Sequence, residues 1–171
     1  ATEAPENYFH LMADYYHNTN DQFGPYAARF LRTSFFTDMP PAVKDLVWFS
    51  AAFDATSDSK DPIALAMLVR GRNKVLGRYW GTSRTAKDLH FNVCYYQPIE
   101  WTIQQGISEF DPGMGSEHKV RRGFRSLPTY SLHYFLDRTM QAVLKRYIDS
   151  INEMEDQQIA ALDDAVPFKR I

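Results

Sequence analysis

The sequence predicts a mixed α/β fold of the α+β kind, with a central, mixed, largely antiparallel sheet flanked by helices on both faces. Three observations lead there. Leu46–Phe53 and Ile63–Val69 are nearly continuous apolar runs of strand length, the pattern of strands covered on both sides. Apolar residues at helical spacing precede them (Phe9, Met12, Tyr15, Tyr16) and close the chain (Met140 to Met154). Between these ends the periodic segments run helix, helix, three strands, helix, strand, charged loop, strand, helix. A chain of 171 residues, 44% apolar, is enough for one domain with a sizeable core. That domain divides into two helices over about 6–37, a sheet core over about 45–136 and a last helix over about 137–157.

Each element has a local reason. Segment 6–19 forms the first helix, and Gly24-Pro25 breaks it. A second short helix is expected from Ala27 to Phe36, before Pro40-Pro41. Gly71-Arg72-Asn73 supplies the turn that joins Ile63–Val69 to Lys74–Trp80 as an antiparallel hairpin. Asp88 suits the N-cap of a helix carrying Leu89, Val93, Tyr96 and Ile103 along one side, with Gly106 at its end. Pro98 lacks the N–H that would reach the Cys94 carbonyl, so a kink is expected there. Ile107–Asp111 reads as a short strand. Thr129–Leu136 alternates, with Tyr130, Leu132, Tyr134 and Leu136 on one side and Ser131, His133 and Phe135 on the other, which is strand periodicity. Asp137 caps the final helix, whose stripe of Met140, Val143, Leu144, Tyr147, Ile148, Ile151 and Met154 is expected to be buried. Beyond residue 155 the stripe is lost and a frayed tail is expected.

Composition narrows the function classes. A net charge of −2 argues against wholesale binding of nucleic acid or membrane surfaces, so a tRNA partner draws no support from charge. No apolar run approaches the roughly 20 residues of a membrane span, and residues 1–10 lack the basic start and apolar stretch of a signal peptide. The single cysteine, Cys94, excludes an internal disulfide and suits a reducing cytoplasm, the location expected here. The first residue is Ala rather than Met, which fits processing or a piece of something longer. The many aromatics fit a dimer interface and core burial equally well, so the sequence leaves the oligomeric state open.

Against that background one stretch stands out. Residues 115–124 read GSEHKVRRGF, and within 117–125 four cations, Lys119, Arg121, Arg122 and Arg125, face a single carboxylate, Glu117. Glycines at 113, 115 and 123 allow sharp turns and close approach of backbone to a ligand. Two readings compete: a site for a small anionic group, or a solvated loop that keeps the surface soluble.

The segment order, with an apolar three-strand run followed by a helix and further strands, resembles the GNAT (acyl-CoA N-acyltransferase) fold. GRYWG at Gly77–Gly81, LHFNVCYYQPIEW at Leu89–Trp101 and GMGSEHKVRRGF at Gly113–Phe124 resemble, in this order, the signature blocks of its FemAB-like branch, a branch of peptidoglycan biosynthesis or recognition proteins. The likeness covers about residues 45–136. Members of that branch run to about twice this length, with a second GNAT-like half ahead. The resemblance therefore implies a GNAT-like acyltransferase domain corresponding to the carboxy-terminal half, or a shortened relative. It implies acyl-CoA or aminoacyl-tRNA as donor and a small-molecule or peptide-type amine as acceptor. The GNAT pyrophosphate loop (Q/R-x-x-G-x-G/A) is not recognisable in Gly81–Lys87, where Thr82, Ser83, Arg84 and Lys87 remain as donors.

Acyl transfer to an amine needs a neutral nucleophile, stabilisation of the oxyanion and a proton donor for the leaving group. His118, with the side-chain pKa nearest working pH, is the candidate for proton movement, and Glu117 is the rival base. On an extended segment these neighbours point opposite ways, so one of them faces the substrate. Lys119 and Arg122 suit an oxyanion, carboxylate or phosphate, and Gly123 and Phe124 complete the turn. Solvated surface charge is the competing account of each cation. On the preceding helix His90, Cys94, Gln97 and Trp101 share a face at i, i+4, i+7 and i+11. Cys94 as a small buried hydrophobe and His90 as a satisfied cap-region histidine compete with a cleft role. Two ligands without further partners at metal spacing give no metal site. Tyr79, Trp80 and Gly81 end a strand where mixed α/β sheets bind ligands. Tyr95, Tyr96 and Glu100 join them as pocket candidates, against core or surface roles. A recognition module that keeps the fold without the donor site is the alternative function.

Overall fold

The computed structural model describes residues 4–27, 30–39, 43–114 and 117–168. Contacts between α-carbons divide the chain into two units, Ala1–Gly113 and Met114–Ile171.

The first unit is built on four strands in the spatial order of the sequence: β1 (Val47–Ala52), β2 (Ala64–Arg70), β3 (Lys74–Thr82) and β4 (Glu109–Asp111). β1 and β3 flank β2 antiparallel, and β4 lies parallel to the start of β3. The sheet is mixed and largely antiparallel, as the sequence predicts, and the β2–β3 turn closes with the Gly71 N–H donating to the Lys74 carbonyl at 2.7 Å. Met67 faces Tyr79 while Leu68 faces Gly77, so Arg78 is one extra residue on β3, a bulge. The sheet ends at Asp111, not near residue 136.

α1 (Glu6–Asp21) buries Phe9, Met12, Ala13, Tyr15 and Tyr16, the stripe expected from helical spacing. These side chains pack with Val47, Leu65 and Met67 and with Phe36 of α2 (Thr33–Thr37). Phe9 stands edge-on to Phe49 at 5.1 Å. Each large side chain buried this way contributes roughly 1.5–3 kcal/mol. The second helix, expected from Ala27, begins only at Thr33, since Ala27, Phe30, Leu31 and Arg32 are not helical; residues 28–29 and Pro40-Pro41 lie outside the described residues.

The opposite face of the sheet carries a second helical run. Leu65 and Met67 turn toward α1, whereas Ala64 and Ala66 meet Val93. α3 (Leu89–Phe91), a π-helical turn (Asn92–Tyr96) and α4 (Gln97–Gln104) follow one another without a break. The kink expected at Pro98 takes the form of this widened turn. The Gln97 N–H reaches back five residues to the Asn92 carbonyl, and Pro98 then falls in the first turn of α4, where no N–H is needed. Asp88 precedes the run with φ 58° and makes no side-chain cap bond, so the capping expected of its carboxylate is not seen. Trp48 of β1 meets Trp101 edge-on at 4.0 Å.

The second unit contains α5 (Glu117–Val120) and α6 (Arg138–Asp164). The Asp137 carboxylate accepts from the Met140 N–H at 2.8 Å, the cap read from the sequence. Two expectations are corrected. Residues 129–136 are not a strand; Leu132 and Tyr130 are almost wholly exposed. Alternation defines a face, but a strand also needs a neighbour for its backbone N–H and C=O groups. α6 continues to Asp164, and none of its 27 residues is buried; of the stripe expected in the core, Leu144 and Ile148 are half-buried and the rest exposed. Glu, Gln, Ala and Leu are strong helix formers, which carries the helix past the point where the stripe fades. Among the described residues no helix is long and apolar enough to cross a membrane.

Candidate functional site

In the first unit, β3 and the π-helical turn bring together Trp80, His90 and Tyr95. The His90 ring lies 4.5 Å from the Trp80 ring and meets Tyr95 edge-on at 5.4 Å. His90 and Tyr95 are five apart in sequence. A regular α-helix would place them about 140° apart around its axis, and the wider π turn helps them converge. Such turns inside α-helices occur frequently at functional sites. Tyr95 is buried, His90 and Trp80 are half-buried, and Tyr96 is exposed. Glu100 is exposed and accepts from Gln104 at 3.4 Å.

The helical face read from the sequence is redistributed by the same turn. His90 packs on Trp80, Cys94 joins the Ala64–Ala66–Val93 cluster, Gln97 is exposed and Trp101 packs on Trp48.

Tyr79 and Trp80 fall on opposite faces of the sheet, as strand neighbours must. The Tyr79 ring lies 5.7 Å from Tyr16 and 5.9 Å from Phe36, within the α1 layer. Gly81 is also taken up by α1: a β-carbon there would run into the backbone of Tyr15 and Tyr16.

Three of the donors read in Gly81–Lys87 are used within the fold. Thr82 Oγ1 donates to the Ile63 carbonyl at 2.8 Å and Ser83 Oγ to the same oxygen at 3.2 Å. Arg84 forms an ion pair with Asp54. Hydrogen bonds from the Thr56 hydroxyl and N–H, followed by Arg84, lower the Asp54 pKa to about 2.

In the second unit the basic segment is a helical turn rather than an extended strand, and this changes which side chains travel together. Glu117 pairs with Arg121 across one turn at 3.7 Å, both largely exposed. His118 and Arg122 are likewise four apart and share another side. Arg122 Nη1 donates to the His118 carbonyl at 2.6 Å, and Lys119 Nζ donates to the Met114 carbonyl at 2.5 Å. Partial burial, then Lys119, then Arg122 hold the His118 pKa below its ordinary value. These causes favour the neutral imidazole, the form able to accept a proton.

Gly123 adopts φ 90°, a conformation side chains rarely take, and its open face receives the Phe168 ring. Phe124 is half-buried. Arg125 Nη1 meets both carboxylate oxygens of Asp163, at 3.0 and 3.2 Å. Asp163 escaped the sequence reading because residues past 155 carry no apolar stripe to announce a helix. Gly115 lies outside the described residues.

A family model described as peptidoglycan biosynthesis/recognition, FemAB-like, matches residues 1–170. No curated protein and no solved structure matches the chain.

Proposed function

The chain belongs to the FemAB-like family of peptidoglycan biosynthesis and recognition, and on that footing we propose that it is an N-acyltransferase domain that transfers an acyl or aminoacyl group to an amine acceptor. The observation that carries this reading is the grouping of His118, Lys119 and Arg122 on one helical turn, where burial and the two neighbouring cations favour the neutral imidazole. In the proposed step the acceptor nitrogen attacks the acyl carbonyl carbon and a C–N bond forms. The C–S bond of a thioester donor, or the C–O bond of an aminoacyl ester, breaks. His118 takes the proton lost by the amine and returns it to the departing thiolate or alkoxide. Lys119 and Arg122 supply positive charge for the oxyanion. Glu117, exposed and facing Arg121, fits an acceptor-side contact better than the base. Trp80, His90 and Tyr95 form the aromatic wall proposed for ligand contact in the first unit.

The test is transfer from acyl-CoA and from aminoacyl-tRNA to a muropeptide amine, by wild type, His118→Ala and Lys119→Ala. Loss of about 10²–10⁴-fold for His118→Ala supports the assignment. Unchanged turnover in both variants removes it.

One observation favours a second reading, a recognition module without a donor site. Thr82, Ser83 and Arg84, three of the four donors read in Gly81–Lys87, are engaged inside the fold. Thermal-shift measurements separate the two. Stabilisation by muropeptides but not by acyl-CoA or aminoacyl-tRNA selects recognition; stabilisation by a donor selects transfer.

A further inference from the structure

Within the second unit, α6 presents an apolar face that no other described element of that unit covers. Met140, Val143, Leu144, Tyr147, Ile151 and Met154 recur at the three- and four-residue spacing of a helix that packs lengthwise on another. Tyr147 is 48% exposed, Ile151 39% and Met154 61%. Together with Phe135 these side chains line an apolar groove along the helix. A helix of 27 residues with none buried draws little stability from its own packing, and helices in proteins depend chiefly on a packed face.

The charges on α6 say what covers it. Arg138, Lys145 and Arg146 outweigh Asp149 in its first half, whereas Glu153, Glu155, Asp156, Asp163 (held by Arg125) and Asp164 make the second half acidic. Arg146 marks one edge of the apolar face, with its guanidinium over the Tyr147 ring at 5.4 Å. Glu153, seven residues on, lies two turns along the same edge. A helix basic at one end and acidic at the other is complementary to itself only when a second copy runs the opposite way. That orientation also opposes the two helix dipoles favourably.

We infer that two copies of this chain associate through α6, antiparallel, about a twofold axis crossing the helix between Tyr147 and Ile151. Tyr147 of each copy then packs on Ile151 of the other, and Arg146 of each lies beside Glu153 of the other. The interface is isologous, so every contact occurs twice.

Sedimentation of the full chain over a concentration series tests this. Wild type dimerises. Arg146→Glu and Glu153→Arg, each replacing attraction by repulsion at two symmetric contacts, weaken the dimer by at least about tenfold. Mixing these two variants one to one restores association, because only the mixed pair regains opposite charges. Tyr147→Asp abolishes the dimer, while circular dichroism shows the helix retained in all variants. A monomeric wild type overturns the inference, as it would if the rest of the same chain covered this face. Variants that dimerise as well as wild type, or a mixture no tighter than its components, overturn it equally.

Discussion

The backbone of Tyr15 lies directly over the α-carbon of Gly81, so close that not even a methyl group fits between α1 and the end of β3. The side chain of the same Tyr15 reaches past the strand and donates from its hydroxyl to the Pro62 carbonyl at 2.6 Å. One residue thus seals the helix onto the sheet with its main chain and its phenol together. Gly81→Ala must push backbone away, and is expected to lose about 1–3 kcal/mol or more, as overpacked cores do. Chemical denaturation measures it; a variant as stable as wild type contradicts the packing.

The Asp54 cluster predicts an acid limb. Its carboxyl is held down to about 2 from an ordinary 3.8 by Thr56 and then Arg84. A carboxyl depressed in the folded state contributes stability that is present above the unfolded pKa and lost as pH falls through the folded one. Wild type therefore loses this contribution between about pH 3.8 and 2, and Thr56→Val narrows that window by removing the hydroxyl bond. Denaturation curves across this range, with an NMR titration of the Asp54 carboxyl, show whether it does.

His118 predicts a shift of opposite sense in charge. Burial, Lys119 and Arg122 lower its pKa from 6.5, so its stability contribution is full above 6.5 and falls as pH drops through the lower folded value. Lys119→Gln removes one positive neighbour and raises the midpoint toward 6.5. The imidazole C–H resonances report this directly, and an unmoved midpoint would mean that the two charges do not sense each other.

Asp137→Ala removes the acceptor of the Met140 N–H at the head of α6. A loss of about 1 kcal/mol is expected, whereas Asp137→Ser, which keeps an acceptor, retains most of the stability. Equal losses in both variants would assign the effect to something other than capping.

The β2–β3 hairpin was legible because turn residues sit between two apolar runs, and the α1 stripe because its period matches its buried face. The N-cap at Asp137 was legible for the same kind of local reason. The π turn was not: Pro98 announced a disturbance of the helix, but the sequence of Asn92–Tyr96 fits either a four- or a five-residue hydrogen-bond step. Thr129–Leu136 misled because alternation says which side chains share a side, not whether an edge exists to pair with. The site was read in the same uneven way. The cationic turn stood out by composition, but its helical geometry, which groups His118 with Arg122 and Glu117 with Arg121, had no period short enough to recognise.

The supernumerary Arg78 acts as a parity switch for the strand end. Everything after it points where its predecessor would have pointed in an uninterrupted ladder. A β3 that kept this arginine but paired it directly with Met67, with no bulge, would exchange the tenants of the two layers. The phenol of Tyr79 would then turn to the imidazole of His90, and the indole of Trp80 to the aromatic rings of α1 and α2. Which ring meets the histidine is therefore decided by a count of residues, not by the chemistry of either ring.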